Sequence, residues 1–496
     1  MRKIKKFISV ICVVALLAGV LSTGVYAAGA ERDYTIISPY ADVDWSWNQY
    51  KADLHTHTTA SDGRSSLKDM IEINYDYGFD IYATSDHGLT SYSWTEQQVI
   101  PALKVFVDMR NPNTEMVALE ASGGLTFEGI PYQVVTENGG DYYFQETTPD
   151  HKMLRVPYAN EQNPSSLNNA HVNTWFADYG NGVLGGTSDY ETPIKAVHEM
   201  GGLSVINHPG EYTNARDEDT TADAYDYSDP MYKYYIDKFI SLLATYDSCL
   251  GIDINSKGDS RTRFDRKLWD ILLMNLAPSG RNVFAIATSD AHSTDAAYTG
   301  YTEMLMPEQT VDALYTSMKT GAFFPSSKCL GNHEELEEIA NYLLENANGN
   351  AEAVAIANDI LERQKTDYNA KYEAPLDVDA PVINSVIVDD GDDTITLNVT
   401  DGLCVRWIAD GETIAYGESI DLDDYSKYIG SYVRAEVFGV GGIAYTQAML
   451  LEYEEAPEAE AKDFTDFWWI LSFIPDTLVR LLGSMEFFQI LWDALN

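Results

Sequence analysis

The sequence predicts an α/β fold with parallel strands and crossover helices between residues 45 and 330. Short apolar runs alternate there with stretches of helical periodicity, as in repeated strand–helix units. His and Asp residues follow several of these runs, at the position where α/β barrels carry their active sites. The predicted strands are residues 80–84, 116–120, 203–207, 250–254 and 283–288, and the predicted helices are residues 67–77, 192–200 and 264–275.

The rest of the chain divides by composition into further segments. Residues 123–190 are rich in Gly, Asn, Tyr and Thr and predict an insertion or long loop system over one end of the barrel. Residues 334–371, rich in Glu, Ala and Leu, predict a helical hairpin or a bridging helix. Short apolar runs after Pro381, separated by Asp-Gly and Gly-Gly turns, predict a small accessory β-sandwich. The expected boundaries are 1–27 for a signal peptide, 45–330 for the barrel, 331–374 for the helical segment, 378–453 for the sandwich and 454–496 for an acidic linker and tail.

The first 27 residues have the pattern of a secretory signal peptide. Basic residues near the start precede an apolar stretch at residues 7–21, which is shorter than the ~20 residues that a spanning helix needs. Val25 and Ala27 are small residues that predict cleavage after Ala27, and therefore a secreted or cell-surface protein. An uncleaved anchor is the alternative.

Composition narrows the range of partners and ligands. The formal net charge of −45 excludes nucleic acid as an expected partner, because phosphate backbones are bound by basic surfaces. Cys249, Cys329 and Cys404 would remain after processing, and their wide spacing indicates neither a disulfide framework nor a thiolate zinc site. Any metal is therefore expected to use nitrogen and oxygen ligands.

The tail, residues 464–496, is apolar and rich in aromatic residues. It contains no run of 18 uncharged apolar residues, so a spanning helix is not predicted. Two interpretations remain open. The tail could form an amphipathic helix at a membrane interface, or its apolar face could pack on the folded domains or on a second copy.

Histidines and acidic residues cluster in four islands, each after a short apolar run. Two histidines one residue apart on a strand present their rings on the same face, and such a pair can bind one ion while carboxylates complete the shell. A single histidine is more often a surface or core residue than a ligand, but here the pattern repeats. The repetition predicts a multinuclear metal hydrolase. The islands contain His55, His57 and Asp62; Asp86 and His87; Asn207 and His208; and Asp290 and His292.

The order and local sequences of these islands resemble the PHP family, the polymerase and histidinol phosphatase domains. The resemblance covers residues 49–330, and two further candidates complete the pattern. Glu120 ends the run Met-Val-Ala-Leu, and His171 lies in Ala-His-Val-Asn. The resemblance implies a distorted (β/α)7 barrel that binds two or three divalent ions, Zn, Mn or Fe, and hydrolyses phosphoesters.

Carried over residue by residue, the resemblance implies a set of ligands for each of three ions. These sets are His55, His57 and Asp290; His171 and His208, with Glu120 bridging them to the first ion; and Asp62, His87 and His292. Within them Asp290, Glu120 and His208 are the predicted catalytic residues. A long gap separates His171 from Glu120, so His151 is kept as an alternative ligand. Asp53 and Asp86 either support the ligands or contact backbone at strand ends.

Basic residues that could bind a phosphate are few. Lys257, Arg261 and Arg263 lie just after the predicted strand at residues 250–254, and Arg216 follows the His208 island. Each of these residues could instead form a surface salt bridge.

Three functions are compatible with this pattern. The leading one is a secreted metal-dependent phosphoesterase that acts on a small molecule, a nucleotide or a phosphorylated glycan, with an ion-bound hydroxide as nucleophile. The second is a metal-dependent hydrolase of carboxylic or carbamate esters, which the scarcity of basic residues favours. The third is a non-catalytic surface-attachment protein with a degenerate barrel, and the nearly complete ligand set argues against it.

Overall fold

The computed structural model describes residues 32–90, 94, 125–127, 130–146, 149, 151–162, 170–181, 190–213, 215 and 224–459. The predictions for Glu120, Arg216, the signal peptide and the tail lie outside these residues. Within them the protein is a mixed α/β structure with one 14-stranded sheet and three smaller sheets. No helix in this part of the chain is long and apolar enough to cross a membrane.

The described strands up to residue 330, numbered in chain order, are β1 (Thr35–Ile37), β2 (Asn48–Asp53), β3 (Ile81–Tyr82), β4 (Leu125–Phe127), β5 (Ile130–Glu137), β6 (Asp141–Glu146), β7 (Lys152–Arg155), β8 (Asn160–Gln162), β9 (Val172–Trp175), β10 (Leu203–Ile206), β11 (Cys249–Ile254), β12 (Phe284–Ala287), β13 (Gly300–Met306), β14 (Phe323–Ser327) and β15 (Cys329–Leu330). The later strands are β16 (Tyr372–Glu373), β17 (Val382–Asp389), β18 (Thr394–Thr400), β19 (Cys404–Ala409), β20 (Glu412–Tyr416), β21 (Ser419–Asp421), β22 (Tyr432–Gly439), β23 (Gly442–Tyr445) and β24 (Met449–Glu452). The described helices are α1 (Leu67–Asp76), α2 (Glu191–Glu199), α3 (Pro230–Thr245), α4 (Asp265–Leu276), α5 (Val311–Thr320), α6 (His333–Asn346) and α7 (Ala351–Thr366).

The predicted alternation of strands and helices is present. Strands β3, β10, β11 and β12 and helices α1, α2 and α4 lie where apolar periodicity places them, whereas the predicted strand at residues 116–120 is outside the described residues. The stretch at 123–190, predicted as an insertion or a long loop system, contains strands β4 to β9 in its described part. Tyr132 and Val134 on β5 are buried and alternate with more exposed residues, a strand pattern that the Gly- and Asn-rich composition obscured.

Two parallel arrangements of strands bring several strand ends together. In the large sheet β3 runs parallel to β2 and β7, and in the five-stranded sheet β11 runs parallel to β10 and β12. The two sheets approach each other where Thr56, after β2, forms an isolated parallel bridge with Ala291, after β12. Buried residues such as Leu54 and Ile286 fill the core between the sheets. Pairing among the described strands does not close a barrel.

The C-terminal strands continue the same architecture. Strands β17, β18 and β21 form a separate antiparallel sheet, while β19, β20 and β22 to β24 belong to the large sheet. Strand β23 pairs with β14 through Ser326 and Ala444, and β1 pairs with β24. Part of the region predicted as an accessory sandwich, strands β19, β20 and β22 to β24, is therefore continuous with the sheet that carries β2. Helices α6 and α7 pack together as a helical hairpin, one of the two forms expected for this segment, and each begins after an Asn cap.

Candidate metal centre

His55 and His57 follow β2 and are completely buried. Their Nε2 atoms lie 3.1 Å apart, because alternate residues of an extended chain face the same side. The backbone N–H of His57 donates to the carbonyl of Ala291 at 2.8 Å, so the end of β2 is fixed against the segment after β12. This contact places the first histidines beside Asp290 and His292.

Glu161 on β8 lies at the centre of the histidines and is only 2% exposed. Its Oε2 atom is 3.0 Å from His57 Nε2 and 3.3 Å from His55 Nε2. Its Oε1 atom is 2.8 Å from His171 Nδ1 and 3.0 Å from His208 Nε2. One carboxylate therefore joins two pairs of histidines, the position that the resemblance assigned to Glu120.

Glu161 was not among the residues predicted from the sequence, and Glu120 remains a prediction outside the described residues. Strand β8 reads Asn-Glu-Gln and has no apolar run to mark it, yet all three residues are buried. Its pairing with β9 places Glu161 opposite Asn173, two residues after His171. The nearest sequence signal is therefore the Ala-His-Val-Asn motif on the partner strand.

Asp290 and Asp62 supply the other carboxylates. Asp290 Oδ1 is 3.3 Å from both His55 Nε2 and His57 Nε2. Asp62 lies 3.4 Å from His57 Nδ1 and from His292 Nε2, and 3.8 Å from His87 Nε2. The Asp62 side chain is 39% exposed, so this end of the centre opens towards solvent.

The donor atoms fit divalent ions. Distances of 3.0–3.3 Å separate His55 Nε2 or His57 Nε2 from Glu161 Oε2 and Asp290 Oδ1. Ligands about 2.1 Å from one ion lie about 3.0 Å apart at right angles and about 3.4 Å apart at the tetrahedral angle. Converging imidazole nitrogens and carboxylate oxygens are also the donor types that suit Zn, Mn and Fe. The residues that could hold ions form three overlapping groups: His55, Glu161, His208 and Asp290; His57, Asp62 and His87; and His57, Asp290 and His292.

The electrostatics of the centre favour positive charge. Burial opposes ionisation of Glu161, but His171 and His55 hold the pKa of its carboxyl well below the ordinary value. Burial likewise opposes ionisation of Asp290, and Lys257 and His55 hold its pKa well below the ordinary value. Burial disfavours protonation of His55, but Asp290 and Glu161 raise the pKa of His55 to about 9. Ionised carboxylates that attract protons onto neighbouring imidazoles would attract a divalent cation for the same reason.

Asp53 and Asp86 contact backbone and hydroxyl groups at the strand ends, which is one of the two alternatives for these residues. Asp86 accepts hydrogen bonds from the Thr58 N–H at 2.8 Å and the Thr58 hydroxyl at 2.7 Å, so it fixes the loop after β2. Asp53 accepts from the Ser289 hydroxyl and also contacts backbone. The imidazoles are approached instead by Asp253, 3.9 Å from His55 Nδ1, and by Glu211, 3.4 Å from His208 Nδ1.

A cleft of about 870 Å³ opens beside the centre, lined in part by Asp62, Asp290 and His292. Lys257 and Arg261 line it as predicted basic residues, and both pair with Glu211; the Lys257 ammonium also contacts Asp290. Arg263 is not among its described lining residues: it is 5% exposed, and its guanidinium lies 5.6 Å from the Phe264 ring. Arg64, which sequence analysis did not identify, also lines the cleft.

The remaining histidines lie away from the centre. His151, the alternative ligand, stacks on Tyr75 with ring centroids 3.9 Å apart. His198 lies on α2 with its Nδ1 atom 3.0 Å from the Ser248 hydroxyl. His333 is the first residue of α6.

The fold and these groups define a candidate multinuclear metal centre at the strand ends of an α/β protein. No family model matches the sequence, and no curated protein matches it. Solved structures do show similarity. A two-domain protein from Bacteroides vulgatus, described as containing a predicted PHP-like metal-dependent phosphoesterase, is 14% identical over 86% of this chain and 92% of its own, with a TM-score of 0.34.

Two other similar structures are enzymes. A lesion-specific endonuclease from Pyrococcus furiosus is 12% identical over 55% of this chain and 56% of its own, with a TM-score of 0.30. An amidohydrolase from Chromobacterium violaceum is 14% identical over 49% of this chain and 87% of its own, with a TM-score of 0.23. One of these similar structures is thus described as PHP-like, and PHP is the family that the sequence motifs resemble. At these identities and TM-scores, the activity of this chain has to be inferred from its own site residues.

Proposed function

We propose that this chain is a metal-dependent phosphoesterase of PHP type, with its centre at the strand ends of a distorted (β/α)7 barrel. The observation that carries the proposal is the Glu161 carboxylate, which lies within 3.3 Å of nitrogens of four histidines, with Asp290 beside two of them. A buried group of this kind, open to solvent at Asp62, suits catalysis better than a purely structural ion site.

Different residues of the chain would hold the metal ions and bind the phosphate. Divalent ions, when bound, supply an activated water and neutralise charge on the phosphoryl oxygens. One ion would be held by His55, His57 and Asp290, and another by His171 and His208. Glu161 contacts the histidines of both sets and fixes their relative position. Lys257 and Arg261 offer ammonium and guanidinium donors to the phosphate from the loop after β11. These cations favour a phosphoester over an uncharged carboxylic ester.

The cleft also bears on the class of substrate. Among the described lining residues, those other than His292 and the charged side chains are Gly, Ala, Ser and Thr, and none is Phe, Tyr or Trp. A nucleobase is usually held by stacking, whereas a sugar or polyol is held by hydroxyl hydrogen bonds. The expected substrate is therefore a phosphorylated small molecule or glycan outside the cell, reached after export by the signal peptide. The aromatic tail would either contact a membrane interface or pack on the folded domains or on a second copy.

The first test is metal content and hydrolysis measured together on the chain from residue 28 onward. We expect two or three bound ions after reconstitution with Mn or Zn, and release of phosphate from para-nitrophenyl phosphate. Cleavage of carboxylic esters alone would replace the proposal with the second function. Absence of bound metal after reconstitution would contradict both and leave the surface-attachment function.

Removing a basic side chain from the cleft should weaken substrate binding without removing the metal ions. Arg261→Ala and Arg64→Ala are each expected to raise the KM about 10-fold, since a hydrogen bond to a charged group contributes about 1.5–3 kcal/mol. Arg363→Ala, on the exposed face of α7, is the matched control and should leave KM unchanged. An unchanged KM for both cleft variants would mean that the phosphate is bound elsewhere.

A further inference from the structure

The loop after β11 has an unusual backbone. In this anion-binding loop, residues 255–263, three non-glycine residues have left-handed conformations: Asn255 (φ 60°), Lys257 (φ 52°) and Asp259 (φ 58°). Residues other than glycine rarely adopt this conformation, so contacts from the surrounding structure have to maintain it. The same loop carries Lys257 and Arg261 into the cleft.

Two of these contacts come from the C-terminal part of the chain. The Asn255 amide donates to the hydroxyl of Tyr445, on β23, at 2.8 Å, and both residues are fully buried. The Lys371 ammonium, just before β16, donates to the carbonyl of Gly258 at 3.2 Å. Gly258 is the immediate neighbour of Lys257, so this bond acts directly on the backbone that directs the Lys257 side chain.

A third contact joins the loop to α6 through an ion-pair network. The Asp259 carboxylate accepts from the Arg266 guanidinium at 3.1 Å, and Arg266 also donates to Glu335 on α6 at 2.9 Å. Asp259 and Arg266 are fully buried, so neither charge can exchange its partner for water. The loop is therefore held at Asn255 by β23, at Gly258 by the segment before β16, and at Asp259, through Arg266, by α6.

We infer that the helical hairpin and the C-terminal strands position the anion-binding loop, with Lys371 and Tyr445 as positioning residues for Lys257 and Arg261. The catalytic meaning of this inference rests on the proposed function, whereas the positioning itself does not. The region that sequence analysis separated as an accessory domain thus sets the shape of one wall of the cleft.

Amide hydrogen exchange on the metal-loaded protein tests the positioning without reference to activity. Lys371→Met removes the donor to Gly258 and is expected to speed exchange in residues 255–263 about 10-fold, the scale of one lost charge-assisted hydrogen bond. Residues 284–292 should exchange as in the parent protein. Lys365→Met, at an exposed lysine of α7, is the matched control. Equal exchange of the loop in Lys371→Met and Lys365→Met would overturn the inference.

Kinetics test the consequence for the proposed reaction. Lys371→Met should raise the KM for para-nitrophenyl phosphate about 5- to 10-fold and leave kcat and metal content unchanged. Lys371→Arg should restore the parent KM, and Tyr445→Phe should act in the same direction as Lys371→Met. In a Lys257→Ala background the effect of Lys371→Met on the KM should shrink, because Lys371 acts through the backbone that directs Lys257. Fully additive effects would contradict positioning.

The two proposals fail in distinguishable ways. A parent protein without hydrolase activity, combined with faster loop exchange in Lys371→Met, would refute the phosphoesterase and retain the positioning. An active parent whose KM and loop exchange are insensitive to Lys371→Met would retain the phosphoesterase and refute the positioning.

Discussion

Glu161→Gln is expected to reduce hydrolysis by more than about 100-fold, because even partners one shell outside a metal ligand cost 10–100-fold when removed. The amide retains the size of the side chain but loses its negative charge and one acceptor oxygen. Two pairs of histidines would then face each other without the shared carboxylate. We expect at least one ion fewer per chain by elemental analysis of the reconstituted variant.

A control substitution of the same type, placed away from the metal centre, shows whether the loss of activity is specific to Glu161. Glu137→Gln, at an exposed carboxylate of β5, alters the same chemistry far from the centre and should leave activity and metal content intact. The variant Glu120→Gln tests whether Glu120, predicted from the sequence, or Glu161, found in the structure, is the bridging carboxylate. If Glu120→Gln loses metal while Glu161→Gln retains it, Glu120 is the bridging carboxylate and the assignment of Glu161 is wrong.

Arg434→Met is expected to destabilise the protein by about 3–5 kcal/mol, the cost of leaving buried charges without their partner. Arg434 on β22 is 1% exposed and donates to Asp270 at 2.6 and 2.7 Å and to Glu436 at 2.5 Å. Its guanidinium also lies 4.4 Å from the centre of the Trp269 ring. The variant leaves the buried Asp270 carboxylate with the Tyr432 hydroxyl but no cation, and leaves Glu436 with Arg406 as its remaining cation. Urea unfolding of the metal-loaded protein, followed by Trp fluorescence, measures the loss.

The control for this prediction is an arginine of equal chemistry in solvent. Arg363→Met removes an ion pair with Asp359 in which both side chains are 54% exposed, and pairs of this kind contribute about 0–1 kcal/mol. Its unfolding midpoint should therefore stay close to that of the parent protein. Equal midpoints for Arg434→Met and the parent protein would show that the buried pairs contribute nothing net to stability.

Local sequence patterns were sufficient where the structure depends on neighbours in the chain. His55 and His57 share a face because a strand alternates, and helix α1 begins where Ser66 and Asp69 cap each other in a reciprocal pair. The C-terminal strands likewise follow their apolar runs and turns. In each case the deciding physical effect acts within a few residues.

The features that could not be predicted from the sequence depend on contacts between residues far apart in the chain. Glu161 lies on a strand with no apolar residue, so its burial depends on β9 and on histidines from three other segments. Asp253 approaches His55 only because the strand ends converge, whereas Glu211 reaches His208 within a single turn of the chain. The continuity of the large sheet depends on β14 pairing with β23, and no local pattern encodes that pairing.

The pairing of β1 with β24 has a consequence for the order of folding. Thr35 lies opposite Glu452, so the first strand of the described chain finds its partner only after nearly all of that chain has been made. Contacts between such distant residues form slowly, because a long loop must close before they stabilise anything. During synthesis the edge of β1 would therefore stay unpaired. The protein should reach its stable state late and as a whole, after the last strand has docked.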